Sequence, residues 1–320
     1  MPGFLSAHDD EGGVSPTLST ADTLERRRIA VFCLVAFGLA WCVGAAIYLT
    51  GGLRDSPVLL ETPRITLAVA LLSTGYMWAP AVANVVTRVV TDEGWTDLRL
   101  RPHRREWPVW ILAWVGPALL ILVGIGAYAL VFPIDPTLGT LRAALGLPEG
   151  APLPASPPVL LGLLVAQAVL VSPVVNSLFT FGEEFGWRGY LLPKLLPLGW
   201  RPAVLLSGVV WGVWHWPVIA MGYNYGVGYP GAPWTGLLAM TWFTVVVGAF
   251  LAWVTIRAGS VWPATIGHAA VNGIGGLGLL LVSGNPTPLL GPAAVGVVVT
   301  VGWAAVAAAV LRRDEQPERR

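Results

Sequence analysis

The sequence predicts an all-α membrane protein with about eight transmembrane helices and both termini in the cytoplasm. Of its 320 residues, 55% are hydrophobic and only 12% are charged, and the mean hydropathy is +0.68. A soluble domain carries about twice that share of charged residues. The chain therefore has too few charges to cover a water-exposed surface of its size, and we expect lipid to surround most of it.

Eight apolar runs are each long enough to cross the hydrocarbon core of a bilayer as a helix. A core about 30 Å thick takes about 20 helical residues. The runs are continuous rather than alternating, and this favours helices because a helix satisfies its own backbone polar groups in lipid. The runs cover residues 29–48, 65–86, 107–132, 158–181, 202–222, 236–256, 261–282 and 291–311.

The basic residues give these runs an orientation. With the N-terminus inside, the loops on the outer side hold only Arg54, Arg64 and Arg142, which leaves 16 of the 19 basic residues on the inner side. An excess of Lys and Arg marks cytoplasmic segments. The bias therefore predicts an even number of spans. Residues 1–25 are polar and are predicted to form a disordered cytoplasmic tail.

The inner end of the fourth run carries ionisable residues, which are costly in a membrane and indicate function. Glu184 and Arg188 are four residues apart with the acid first, the favourable order for an ion pair on a helix. Glu183 points about 100° away and has no charge partner on its own helix. Arg188 is thus expected to hold Glu184 in a structural role and to leave Glu183 for acid–base chemistry. A solvated helix end with an ordinary ion pair explains this segment about equally well.

Two histidines lie in later apolar runs. His215 follows Trp211 by four residues in the fifth run, and His268 precedes Asn272 by four residues in the seventh. Residues four apart share one face of a helix. Taken singly, a histidine bonded to a carbonyl or a polar contact between helices would explain each pair. Three such groups in one bundle favour a shared site.

In order and spacing, these groups resemble the motifs of the CAAX-protease and bacteriocin-processing family of intramembrane proteases, also called the CPBP or Abi family. The eukaryotic members of this family include the CAAX-prenyl endopeptidase. The matching motifs are Glu-Glu-x-x-x-Arg (Glu183, Glu184, Arg188), aromatic-x-x-x-His (Trp211, His215) and His-x-x-x-Asn (His268, Asn272). The resemblance covers about residues 158–273. The second motif often begins with Phe, so Trp211 is a departure that keeps an aromatic ring.

The resemblance implies an intramembrane endopeptidase whose active site opens toward the cytoplasm. Such an enzyme would hydrolyse a peptide bond near the cytoplasmic face of the membrane. Glu183 would take a proton from a water that His215 positions, and His268 and Asn272 would donate hydrogen bonds to the oxyanion. The supporting residues would be Glu184, Arg188 and Trp211. The implied division of the chain is a first part with three helices (26–157), a protease-like core with helices four to seven (158–282), and a last helix with a basic tail (283–320).

The part played by a metal is left as two alternatives. Glu183, His215 and His268 are a donor set that a catalytic zinc ion with one open position can use. No HExxH spacing is present, and the three donors would come from three different helices. We therefore predict either no cofactor or a single zinc ion. Of these two, we prefer a metal-free site centred on Glu183.

Two other functions use the same residues. A proton or cation transporter would need a polar path through both leaflets, and a non-catalytic immunity or binding protein would keep the fold without the chemistry. The predicted partners are the lipid bilayer and a peptide or membrane-protein substrate, prenylated or not, but no nucleic acid, because the net charge is only +1. The predicted location is the cytoplasmic membrane of a bacterial-type cell. The oligomeric state is left open.

Overall fold

The structure, a computed structural model, describes residues 20–313 apart from 63, 149, 283 and 285. It is 69% helical, which confirms the coarse prediction of an all-α membrane protein. The α-helices, in chain order, are α1 (Thr20–Leu49), α2 (Leu67–Leu71), α3 (Ala79–Val90), α4 (Trp107–Val131), α5 (Gly139–Ala144), α6 (Pro157–Leu170), α7 (Ser172–Gly186), α8 (Leu192–Leu195), α9 (Trp200–Trp214), α10 (Trp216–Ala220), α11 (Trp234–Ala258), α12 (Trp262–Ile274) and α13 (Val301–Arg312).

Shorter elements join these helices. Strands β1 (Val58–Glu61) and β2 (Arg64–Thr66) form an antiparallel hairpin between α1 and α2, with Glu61 opposite Arg64. Two segments are π-helical, Leu72–Tyr76 and Trp187–Leu191. Three are 3₁₀-helical, Arg104–Glu106, Leu196–Leu198 and Leu277–Leu281. Helix α1 begins within the segment predicted as a tail, and residues 1–19 of that tail lie outside the described residues.

The described residues hold five helical segments that are long and apolar enough to cross a membrane, or six if one bent pair forms a single span. The five segments are Thr23–Leu49, Leu67–Val90, Trp107–Val131, Trp234–Ala258 and Trp262–Leu281. The pair is Pro157–Leu170 with Ser172–Leu198, bent by 40°. The predicted count of eight spans and the predicted side of the termini are thus not confirmed.

Proline and glycine explain why the other predicted runs are shorter helices. The fifth run, 202–222, is divided at His215 because Pro217, in the first turn of α10, has no N–H for the preceding helix. The eighth run, 291–311, is helical only from Val301, and Gly291, Pro292 and Gly296 precede that start. Pro173 likewise stands in the first turn of α7, where α6 and α7 meet.

The core of the bundle forms where α7 packs against α12 and α3, and α9 packs against α11. Glycines permit these close contacts. A Cβ at Gly182 would lie 2.6 Å from the Met77 carbonyl oxygen, and one at Gly186 would collide with Pro80. Cβ atoms at Gly208 and Gly212 would each lie 2.7 Å from an α11 backbone atom. Small residues allow helix backbones to approach closely in membranes.

We expect Gly186→Ala to lower the free energy of unfolding by about 1–3 kcal/mol, because the added methyl group must displace the backbone of α3. Gly126→Ala is the matched control, since nothing lies within 4 Å of a Cβ there. Unfolding in mixed detergent micelles measures both. Equal stability of the two variants would contradict the close α7–α3 contact.

The two ends of the bundle differ in charge. At one end, which we call the arginine-rich end, Lys194 Nζ lies 3.0 Å from Glu25 Oε2 and also pairs with Glu93. Tyr190 donates a 2.7 Å hydrogen bond to Glu93, and Arg201 Nε donates one of 2.8 Å to the Leu311 carbonyl. The first three contacts join α1, the loop after α3 and the segment around α8, and the last joins α9 to α13. The opposite end, with the β1–β2 hairpin and the loops after α4, α10 and α12, we call the hairpin end.

Candidate active site

The first motif lies where α7 passes into a π-helical turn. Glu183 and Glu184 are in the last turn of α7, and Arg188 is in the π-helical segment Trp187–Leu191. Turns of this kind are frequent at functional sites. Asn84 of α3 holds the junction, because its Nδ2 donates a 2.9 Å hydrogen bond to the Phe185 carbonyl. Its Oδ1 accepts a 2.8 Å bond from Arg88 Nε.

Glu184 is the centre of a buried polar group behind the site. Arg188 Nη1 and His268 Nδ1 both lie 2.9 Å from Glu184 Oε1. Glu184 and Arg188 are almost fully buried, and His268 is 6% exposed. The guanidinium carbon of Arg188 also stacks 4.2 Å from the centre of the Trp211 ring. The ion pair expected from the spacing of Glu184 and Arg188 is therefore present, and it supports His268 as well.

Glu183 has a different environment from Glu184. Its Oε2 accepts a 2.7 Å hydrogen bond from Trp211 Nε1, and the carboxylate is 2% exposed. Because the indole is a neutral donor, it orients the Glu183 carboxylate without neutralising it. The two adjacent acids thus have separate surroundings, one in an ion pair and one held by a neutral hydrogen bond.

The hydrogen bonds of the two histidines fix where their protons lie. His215 Nδ1 is 2.8 Å from the Trp211 carbonyl oxygen, which can only accept, so Nδ1 carries the proton. His268 Nδ1 faces the Glu184 carboxylate and donates in the same way. In each neutral ring Nε2 therefore keeps a lone pair. With Nδ1 protonated, a neutral His268 ring can only accept a hydrogen bond at Nε2. Its predicted role as a donor to the oxyanion therefore requires the imidazolium form, in which Nε2 also carries a proton.

One cavity of about 470 Å³ brings the four predicted catalytic side chains together. Glu183, His215, His268 and Asn272 all line it, whereas Glu184, Arg188 and Trp211 lie behind its wall. His268 and His215 contact the Trp211 ring at 5.2 and 5.7 Å between ring centres. The two histidines thus lie beside the same indole ring, and His215 stands at the break between α9 and α10.

Several other polar residues line the cavity that sequence analysis did not identify. They are Ser73, Tyr76, Asn176, Tyr223 and Asn224. The Tyr76 hydroxyl donates a 2.6 Å hydrogen bond to the Trp214 carbonyl, next to His215. Asn176 lies seven residues before Glu183 on α7, so helical spacing alone could have placed it on the same face. The other four residues belong to segments outside the three motifs, and no helical spacing connects them with Glu183.

The cavity extends from Glu183 toward the hairpin end. Its exposed rim includes Tyr223 and Asn224 in the loop after α10, and Leu279 after α12. This direction disagrees with a pair of predictions taken together. The charge bias predicts that the arginine-rich end is cytoplasmic, and the resemblance implies that the site opens toward the cytoplasm. The two cannot both hold, because the cavity extends toward the hairpin end.

The predicted zinc donors do not fit a metal ion as they are placed. Two imidazole nitrogens and a carboxylate are ligands that zinc accepts. Among the described residues, however, no three His, Cys, Asp or Glu side chains lie close enough together to hold a metal. We therefore derive no chemical step through a metal.

We expect Trp211→Phe to lower kcat/KM about tenfold to hundredfold, because it removes the indole hydrogen bond that orients Glu183 Oε2. A hydrogen bond to a charged group contributes about 1.5–3 kcal/mol. The ring over Arg188 remains, so the fold should be kept. Trp234→Phe, at a residue that is 71% exposed, is the control. Wild-type kinetics for Trp211→Phe would exclude this orienting role.

The comparisons with known proteins agree with the motifs. Residues 159–274 match the family described as type II CAAX prenyl endopeptidase Rce1-like, over the segment that holds all seven motif residues. A search of curated proteins found no match. Residues 159–274 therefore match the CAAX-protease family that the motifs predicted, and this match supports a CAAX-protease-like intramembrane peptidase.

Proposed function

We propose that this protein is an endopeptidase that hydrolyses a peptide bond within the membrane by means of a water molecule that Glu183 activates. The single observation that carries the proposal is the separation of the two acids. Glu183 faces a cavity shared with two histidines, whereas Glu184 is buried in an ion pair behind it. A base must reach its water, and a supporting residue must be held in place.

The reaction would proceed by direct attack of water. Glu183 takes one proton from water as the oxygen attacks the peptide carbonyl carbon, and His215 Nε2 accepts the second O–H as a hydrogen bond. Asn272 donates to the oxyanion, as does His268 when it is protonated beside Glu184. Glu183 then gives its proton to the leaving nitrogen as the C–N bond breaks. The products are a free amine and a carboxylic acid, which releases the second water proton to solvent and becomes a carboxylate.

The form of the cavity favours a peptidase over a transporter. Through the part of the chain that the structure describes, the cavity extends toward the hairpin end, and the fully buried Trp187 side chain packs on its other side. A carrier of protons or cations needs polar groups across both leaflets. A non-catalytic protein would not require the separate environments of Glu183 and Glu184. We propose the cytoplasmic membrane of a bacterial-type cell as its location and a peptide or membrane protein as its substrate.

The test is a comparison of membrane peptides between cells that produce the wild-type chain and cells that produce Glu183→Gln. We expect one or more membrane proteins or peptides to be uncleaved only with Glu183→Gln. Glu61→Gln, an equal change on an exposed strand of the hairpin, is the control and should behave as wild type. Identical peptide profiles for wild type and Glu183→Gln, with equal protein levels, would contradict the proposed function.

A further inference from the structure

The position of the cavity along the spans shows from which end it is reached. The α12 residues that line it are His268 and others farther along the helix, away from the arginine-rich end. On α7 the lining residues are Glu183 and the earlier Asn176 and Phe179, again on the hairpin side. The remaining lining residues include Ala293, Ala294 and Val295, in the loop before α13. The catalytic side chains thus form the floor of the cavity, and its walls extend toward the hairpin end.

The arginine-rich side of the floor is closed by packed side chains. Trp187, Tyr190 and Leu192 are at most 1% exposed. Phe32 of α1 packs on the Trp187 and Tyr190 rings at 5.5 and 5.2 Å between ring centres. The ion pairs of Lys194 with Glu25 and Glu93 lie at the same end. A substrate cannot reach Glu183 from this end without unpacking the helices.

The charges assign a side of the membrane to each end. The segments that the charge bias places on the inner side include the residues that lie together at the arginine-rich end. The outer loops carry only Arg54, Arg64 and Arg142. Basic residues are retained on the cytoplasmic side. We propose that the active-site cavity opens away from the cytoplasm and that its substrate is an extended peptide segment presented from the opposite, extracytoplasmic side. The substrate part of this inference rests on the proposed function, and the direction of access does not.

The lining chemistry fits a peptide main chain. Asn176, Asn224 and Asn272 each offer an amide donor and acceptor, and Ser73 and Tyr223 offer hydroxyl groups. Among the described lining residues there is no lysine or arginine. Lysine and arginine make the strong, charge-assisted hydrogen bonds by which proteins usually bind a terminal carboxylate or a phosphate. The lining therefore suits internal peptide groups, which both donate and accept hydrogen bonds.

Accessibility of single cysteines tests the direction of access without requiring activity. In a Cys33→Ala/Cys42→Ala background, Tyr223→Cys places a thiol at the rim and Ser73→Cys places one in the wall. Arg101→Cys, in the exposed loop between α3 and α4, is the control for the arginine-rich end. The probe is a charged maleimide that does not cross membranes, applied to spheroplasts and to inside-out vesicles, with a detergent-solubilised sample to show that each thiol can react.

We expect Tyr223→Cys and Ser73→Cys to react in spheroplasts, and Arg101→Cys to react only in inside-out vesicles. The inference is overturned if Tyr223→Cys reacts only in inside-out vesicles, reacts from the same side as Arg101→Cys, or reacts only in detergent.

The cleavage sites that depend on Glu183 supply a second test. They should fall in extracytoplasmic segments of the substrates, and sites in cytoplasmic tails would overturn the inference. A correctly oriented chain without peptidase activity would contradict the proposed function alone.

Discussion

Replacement of Glu183 by glutamine should lower kcat/KM for peptide hydrolysis by about 10²–10⁴-fold, the usual contribution of a general base. The glutamine side chain has almost the same size, and its carbonyl oxygen can still accept the 2.7 Å hydrogen bond from Trp211 Nε1. It cannot take a proton from water. We therefore expect the loss of activity without a loss of stability. The measurement is peptide cleavage by purified protein in lipid nanodiscs, with a parallel unfolding curve.

The matched comparison for this variant is Glu61→Gln, which makes the same change on the exposed β1 strand. It should keep full activity. Retention of more than about one tenth of wild-type activity by Glu183→Gln would exclude this carboxylate as the base. A fall in activity together with a fall in stability would instead indicate a structural role.

Replacement of Arg188 by methionine should lower the free energy of unfolding by about 3–5 kcal/mol. The change leaves Glu184 as a buried carboxylate without its cationic partner, the most costly result of removing half of an ion pair. It also removes the guanidinium that stacks on Trp211. Unfolding in mixed detergent micelles, followed by tryptophan fluorescence, measures the loss.

A double variant separates the charge of this pair from its catalytic support. Glu184→Leu with Arg188→Met removes both charges, so stability should return close to that of the wild type. Activity should stay low, because His268 Nδ1 has lost the carboxylate that orients its ring. A double variant as unstable as Arg188→Met would show that the ion pair is not the source of the stability. A fully active one would show that Glu184 does not support His268.

The local part of the site could be predicted because it depends on helix periodicity. The four-residue spacing of Glu184 and Arg188 fixes their contact on one helix whatever the rest of the chain does, and the structure has that ion pair. The grouping of His215 and His268 with Glu183 was predicted from the set of three motifs. The same spacing gave no information on the Glu184–His268 contact, which joins residues 84 positions apart.

The long-range features could not be predicted, since they depend on how helices pack. Asn84 has no motif around it, and its bond to Phe185 arises only because α3 lies against α7. The fifth run, 202–222, was predicted as one span, whereas the structure ends α9 at Trp214 and begins α10 at Trp216. The direction of the cavity follows from the loops after α10 and α12, which no hydropathy pattern describes.

The anchoring of the break at His215 has a consequence for any attempt to isolate a minimal protease. The Trp214 carbonyl accepts hydrogen bonds from the Trp41 indole of α1, at 3.2 Å, and from Tyr76, at 2.6 Å. Trp214 Nε1 in turn donates to the Ala36 carbonyl, at 3.3 Å. All three partners precede residue 159, so they lie outside the segment that carries the family motifs. Residues 159–274 expressed alone would therefore keep every motif residue but lose the hydrogen bonds that hold Trp214, next to His215 of the second motif. The N-terminal helices are thus as much a part of the catalytic unit as the motifs themselves.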